Sequence, residues 1–386
     1  MTSSPLLWSL AWRQLSRQKT KMITALLGIA FACVLIFVQL GFEGALYDSA
    51  RAPYKHLTGE LVMVSPNFET MYSTRGFARS RLYRALAVDG VQSVKELRIG
   101  RGDWKNPQTL VKRAILIFGI KPDNPAIMFP ETSNTHTLSA LGTVFFDRNS
   151  RPEFGLVADL IKKGQNVITE LNDKKVVAIK LFKLGTSFTA DGNVLCSDST
   201  FLELYPHRFA SQLEIGVIKI KPGYSITEVK NKLSKLSGNT VAIRTKEELG
   251  EIDKIYWETS TGVAFIFRLG VVVGFVVGVV IVYQILSSDV IDHLPEYATL
   301  KAIGYTDNAL LAIVGQEAFI LSIIGFIPGL IASFFIYDMS NAATGMPITM
   351  NLQRAILVFV LTLSMCMISA FVAMRKLKKA DPATLF

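Results

Sequence analysis

With three cysteines and four histidines among 386 residues, the sequence has little from which to build a metal centre, a disulfide framework or a thiol active site. Cys33 and Cys366 fall inside long apolar runs, which leaves Cys196 alone in the large polar region. No disulfide can form there, so that region must be held by packing even in an oxidising compartment. His56, His136, His207 and His293 stand apart, and none falls in a metal-ligand spacing such as H-E-x-x-H. No G-x-x-x-x-G-K-S/T stretch cradles a phosphate, and no G-x-S-x-G elbow presents a serine nucleophile. A Walker-type ATP site is thereby excluded, and the sequence offers neither catalytic residues nor a metal ligand set.

Charge is sparse as well. Only 19% of residues are charged and 50% are hydrophobic, a balance that points to membrane insertion. The net charge of +10 would suit nucleic acid if it lined one polar face, but Lys and Arg gather beside the apolar runs. That placement follows membrane topology, and nucleic acid is not an expected partner.

The first apolar run, residues 22–43, follows a basic stretch and is long enough to cross a bilayer; no small-x-small cleavage site follows it, so it reads as an uncleaved anchor. Ahead of it, residues 1–21 pattern as an interfacial amphipathic helix. Ser4 and Pro5 open it, and Leu7, Trp8, Ala11, Trp12 and Leu15 lie opposite Ser9, Arg13, Ser16 and Arg17. Further spans are read at 263–286, 309–337 and 355–374. Arg13, Arg17, Lys19 and Lys21 before the first span, and Arg375, Lys376, Lys378 and Lys379 in the tail 375–386, put both ends in the cytoplasm of a plasma (inner) membrane protein. The connector 287–308 is then cytoplasmic, while residues 44–262 and the short loop 338–354 lie outside.

Residues 44–262 are long enough for a sizeable core. Strand-like runs recur at 60–65, 110–118, 176–181, 213–220 and 240–244, broken by helical patterns at 79–87 and 225–236, the latter opened by a Ser225/Glu228 capping box. Asn172-Asp173 and Asp191-Gly192-Asn193 read as hairpin connections. Both flanks are expected to be helical stalks: span one continues outward to Pro53, and a second capping box, Thr245 with Glu248, starts a helix leading into span two. The predicted fold is an α-helical membrane protein with four transmembrane helices plus an α+β extracytoplasmic domain inserted between helices 1 and 2.

Gly270, Gly274 and Gly278 in span two, and Gly325 and Gly329 in span three, repeat at the four-residue spacing that lets another helix approach closely, and Pro328 marks a candidate kink. Two ionisable residues lie within spans. Glu317 either bonds a neighbouring helix or the basic residues near span one, or snorkels to the interface; Arg268 is read as reaching the headgroups. In the outer domain Arg75, Arg79, Arg81 and Arg84 form a basic cluster, open to two readings: an anionic headgroup or acidic partner, and a solvated helix face.

The connector SSDVIDHLPEYATLKAIGYTDN carries a compact helix signal: Pro295 at a first position, Glu296 in the first turn, Lys301 in the last and Gly304 as the stop. Tyr297, Leu300, Ala298 and Ala302 are expected to present a small apolar docking surface to a cytosolic partner.

These elements together resemble a known family. PEYATLKAIG at 295–304, QEAFILSIIGFIPGL at 316–330 and the C-terminal RKLKKADPATLF are similar to the motifs of FtsX-like (MacB-type) ABC permeases. LAWRQLSRQKTKMITALLGIAFA at 10–32 and FTADGNVLCSDSTF at 188–201 resemble the DevC branch, permeases of the cyanobacterial heterocyst glycolipid exporter. The resemblance implies a homodimer working with two copies of a separate ATPase subunit, where ATP and Mg would bind, this chain holding no cofactor. It further implies a periplasmic adaptor (membrane fusion) protein and a TolC-like outer-membrane duct. It implies mechanotransmission of ATPase motion to the periplasmic domain, and membrane lipid as surroundings and cargo. By position, Leu294, Pro295, Glu296, Tyr297, Leu300, Lys301 and Gly304 would match the ATPase-contacting segment. Two other functions fit the same architecture: an FtsX-like signal transmitter controlling cell-wall hydrolases, and a lipoprotein-release permease.

Overall fold

The computed structural model describes residues 19–73, 75–132 and 134–377. The amphipathic helix expected before the first span and the end of the basic tail lie outside the described residues. The chain divides into two compact units, one comprising residues up to 44 with 263–340 and 348 onward, the other comprising 45–262 with 341–347.

Among the described residues four helices are long and apolar enough to cross a membrane, Lys19–Lys55, Val263–Asp292, Asn308–Thr344 and Leu352–Arg375, and the first unit comprises them up to residue 44, from 263, and without 341–344. Apolar residues surround these helices on all sides, the composition of a membrane span. Large side chains left uncovered by protein, such as Leu27, Phe265, Ile331 and Phe335, have lipid as their natural solvent. The protein is accordingly a multi-pass membrane protein.

The first helix is the hub. Ile29, Cys33, Ile36 and Phe37 are fully buried. Cys33 Sγ lies 3.1 Å from Thr362 Oγ1 of the fourth helix, and the Tyr337 hydroxyl of the third donates to the Phe37 carbonyl. Span four also grips span two, where Ser369 Oγ donates to the Val279 carbonyl at 2.8 Å. The third helix runs through Pro328 without interruption.

Among the described residues the second unit carries eleven strands: β1 Leu61–Val64, β2 Phe77–Ala78, β3 Val91–Lys105, β4 Lys112–Ile120, β5 Thr143–Asp147, β6 Val167–Leu171, β7 Lys174–Phe182, β8 Asn193–Ser197, β9 Gln212–Leu213, β10 Ile215–Ile220 and β11 Ala242–Thr245. Nine form one mixed sheet in the order β11-β1-β10-β3-β4-β8-β5-β7-β6, with β4–β8 and β5–β7 parallel, while β2 and β9 pair separately. The fifteen-residue β3 organises it. Its far end meets β6 at Trp104↔Leu171, closing that half of the sheet around Trp104, Phe146, Phe154 and Phe201. The expected α+β domain is present.

Three local expectations change. Ser225 sits at the N-cap of helix Ile226–Ser237 but its side chain makes no capping bond, and Glu228, the expected reciprocal partner, pairs with Lys232 at 2.7 Å. Asp191-Gly192-Asn193 is not a hairpin: β8 enters beside β4 and β5 rather than folding back on β7. The Thr245/Glu248 box is formed, but the helix it opens, Lys246–Thr259, stops before span two, and Gly262 at φ +67° takes the chain into a new helix at Val263. By contrast Asn172 and Asp173, with φ of 50° and 60°, make the tight turn between β6 and β7.

The helix Lys246–Thr259 is fixed within the second unit by one buried group. Asp253 accepts from Tyr54 Oη at 2.8 Å, Thr70 Oγ1 at 2.9 Å, Trp257 Nε1 at 3.1 Å and the Met71 amide at 3.2 Å.

Candidate functional site

Between spans two and three the chain forms a short helix, Leu294–Ala302. Pro295 occupies its first turn, where an amide has no helical partner to lose, and Gly304 at φ +105° closes it with its amide on the Lys301 carbonyl at 3.0 Å. Tyr305 then returns its amide to Leu300 at 3.0 Å. His293 precedes the helix and bridges its start: Nδ1 lies 3.3 Å from Glu296 and Nε2 3.8 Å from Asp289.

One face of this helix is anchored and the other is free of the bundle. Tyr297, expected on the docking surface, points inward instead and is 2% exposed. Burial, reinforced by the carboxylates of Glu317, Asp289 and Glu296, pushes its phenol well above the usual range, so it stays neutral. The solvent side is made of half-buried Leu300 with exposed Ala302, Ile303 and Tyr305; Ile303 is 73% exposed. Lys301 is on this side as well. The apolar surface thus lies at the C-terminal end of the helix, one turn beyond Tyr297.

Behind Tyr297 lies a buried polar cluster. Glu317 is 0% exposed, so it does not snorkel to an interface. It faces the Asp289 carboxyl at the end of span two rather than a cation, and no aligned hydrogen bond reaches either of its oxygens among the described residues. The neighbouring Gln316 Oε1 and the Tyr297 hydroxyl are likewise buried without hydrogen-bond partners there. Lys21, at the start of span one, pairs with Asp292. Asp289 and Asp292 were not singled out from sequence; the signal available was the i, i+4 relation of Asp289 to His293.

The glycines of spans two and three face span one. A Cβ at Gly270 would strike Gln39; at Gly274 it would lie 3.2 Å from Ile36; at Gly278 it would meet Ala32 at 2.9 Å and Met365 of span four. A Cβ at Gly325 would lie 2.7 Å from Ile29, and one at Gly329 2.7 Å from Cys33. Arg268 does not simply reach outward: its Nε is 3.1 Å from Glu43 of the first helix.

The arginines of the sequence cluster separate. Arg79 pairs with Glu96 at 2.9 Å, and Lys121 joins the same carboxylate at 2.7 Å. Arg81 is half-buried and Arg84 exposed. Arg75 instead lines a pocket with Arg101 and Arg208. Burial alone would raise the Glu96 carboxyl, but hydrogen bonds from Lys121 and Tyr83 and the charge of Arg79 overcome it and hold it below the usual range. No cluster of three or more potential metal ligands occurs among the described residues.

Residues 268–382 match the family described as FtsX-like permease C-terminal. Among solved structures, the periplasmic region of MacB from Actinobacillus actinomycetemcomitans is similar at 14% identity, over 54% of this chain and 97% of that one, with a TM-score of 0.36. The extracellular domain of the noncanonic ABC-type transporter YknZ from Gram-positive bacteria is similar at 13% identity, over 48% of this chain and 98% of that one, with a TM-score of 0.33. No curated protein matches the chain. The stretch holding the connector and three of the four long apolar helices is thus similar to the C-terminal domain of FtsX-like permeases.

Proposed function

We propose that this chain is the permease subunit of an ABC exporter of the tripartite type. Two copies of a separate ATPase chain, carrying ATP and Mg, dock on the connectors of a permease homodimer from the cytoplasm. Their motion passes through the spans to the inserted periplasmic domain, which works with an adaptor protein and a TolC-like duct. The cargo is an amphipathic, lipid-like molecule, with heterocyst glycolipid as the candidate suggested by the DevC-like stretches. The observation that carries this reading is the helix Leu294–Ala302, which lies inside the FtsX-like match and is anchored by Tyr297, with half-buried Leu300 and exposed Ile303 on its solvent side. An apolar surface on a membrane connector is stabilised by covering it with a partner. The absent P-loop supports a motor on another chain.

The test is reconstitution with the native ATPase. Leu300→Asp and Ile303→Asp each place a charge in the docking surface and are expected to lower stimulation of ATP hydrolysis at least tenfold, the cost of about 1.4 kcal/mol or more for a charge desolvated without a partner. Undiminished stimulation in both variants would refute the docking role.

A further inference from the structure

A cleft of about 450 Å³ opens within the second unit between loops 148–152 and 183–185 on one side and residues 341–347 on the other. Its polar wall is cationic: Arg148, Arg151 and Lys183 line it, and no carboxylate does. Arg148 and Arg151 have acidic neighbours behind them, Glu131 at 3.5 Å and Asp191 at 3.0 Å. The Asp191 contact is made by the Arg151 Nε itself, whereas Lys183 is exposed without an ion pair among the described residues. The other wall is apolar, with Ala342 and Ala343 exposed to the opening.

The cleft is preformed. Asp147, fully buried, accepts from the amides of Asn149, Leu184 and Gly185 at 3.0, 3.1 and 2.8 Å and from Asn193 Nδ2 at 2.8 Å, so one carboxylate pins both cationic loops. Thr186 Oγ1 donates to the Thr344 carbonyl at 2.8 Å. Gly345, at φ +70°, lets the backbone pass where a Cβ would come within 2.9 Å of the Asn149 carbonyl. Residues 341–344 are also the last turn of the helix that forms span three, so by chain connection the apolar wall begins where a membrane span ends.

We propose that this cleft binds an anionic amphipathic lipid, with Arg148, Arg151 and Lys183 holding its acidic headgroup and the 342–346 segment its first apolar atoms. Cations at a membrane surface attract acidic headgroups, and an adjoining apolar wall selects a molecule with a tail over a small soluble anion. The inference does not depend on an ATPase partner or on export.

The experiment is native mass spectrometry of the purified full chain in detergent, supplemented with phosphatidylglycerol or phosphatidylcholine, without any partner. Phosphatidylglycerol is expected to be retained preferentially. Lys183→Gln should weaken that retention about fivefold, as expected for one surface cation. Ala343→Trp, which fills the apolar wall, should weaken it as well, and Lys163→Gln, the same charge change at an exposed site outside the cleft, should not. Lys183 is a solvent-exposed side chain, so its variant decides the matter if Ala343→Trp does not fold. Equal retention of the two lipids, or retention unchanged in Lys183→Gln, would overturn the proposal. So would displacement of the lipid by glycerol phosphate at equal concentration with Ala343→Trp without effect, since that outcome describes a soluble-anion site.

Discussion

Replacing Asp253 with Ala tests how the inserted domain is held to its own helical flanks. In the wild type the carboxylate takes four donors, from Tyr54, Thr70, Met71 and Trp257, at 0% exposure. Each donor left buried without an acceptor costs about 1–3 kcal/mol. Alanine also removes the desolvation cost of the carboxylate itself, several kcal/mol, so the four losses do not simply add. Four neutral donors orphaned at that cost, less the several kcal/mol regained by removing the buried carboxylate, leave a net destabilisation of about 3–5 kcal/mol. For a domain of this size, a shift of ~2–4 °C per kcal/mol gives a fall in melting temperature of roughly 6–20 °C. Circular dichroism of the full chain in detergent, with amide exchange at Met71 and along Lys246–Thr259, measures both the global and the local effect. Asp253→Asn keeps one acceptor oxygen but turns an amide toward the donors, and should fall between the two. A melting temperature unchanged in Asp253→Ala, with exchange at Met71 no faster, would refute the picture of a shared buried acceptor.

Two further outcomes are expected. Gly278→Leu should force span two away from Ala32 and Met365, exposing Cys33 and Cys366 to maleimide while Cys196, buried in the other unit, labels as slowly as before; Gly274→Ala, with its nearest neighbour at 3.2 Å, should have a small effect, and equal labelling of both variants would count against the packing. Glu96 is held below its ordinary value of 4.5, so its stabilisation is complete above pH 4.5 and disappears as pH falls through the lower folded value. Glu96→Gln should therefore destabilise the domain at neutral pH by about 1–2 kcal/mol, its cationic partners Arg79 and Lys121 being partly exposed and screened, and flatten the acid limb of a stability-against-pH profile; a limb of unchanged steepness would assign acid unfolding elsewhere.

The long helices are legible in the sequence because twenty or so apolar residues in a row admit few other structures. The limits of the connector helix are legible for a similar reason, since Pro295 and Gly304 each act through their own backbone. Which side of that helix packs inward is not, because the burial of Tyr297 is set by chain outside the helix, with Asp289 before it and Glu317 after it among its neighbours. The largest omission is β3. Its sequence, VQSVKELRIGRGDWK, mixes charges and glycines in a way that argues against a strand, yet Glu96 and Arg98 are both 2% exposed. Their partners, Arg79, Lys121 and the carbonyls of Ala210 and Gln212, come from distant segments. Gly100 and Gly102 are there because Tyr205 and Asn172 press on the strand. Local pattern cannot supply long-range neutralisation, so a buried charged strand goes unassigned.

The closure of β6 on β3 has a consequence for how this domain meets other chains. Trp104↔Leu171, with the Asn172 amide on the Asp103 carbonyl at 3.0 Å, seals what would otherwise be one rim of the nine-stranded sheet. The remaining rim is β11, four residues long and carrying an exposed Arg244. A partner that docks by extending the sheet with a strand of its own therefore has one short, charged ladder to join, so recognition by the main sheet must run through side chains on its faces and loops.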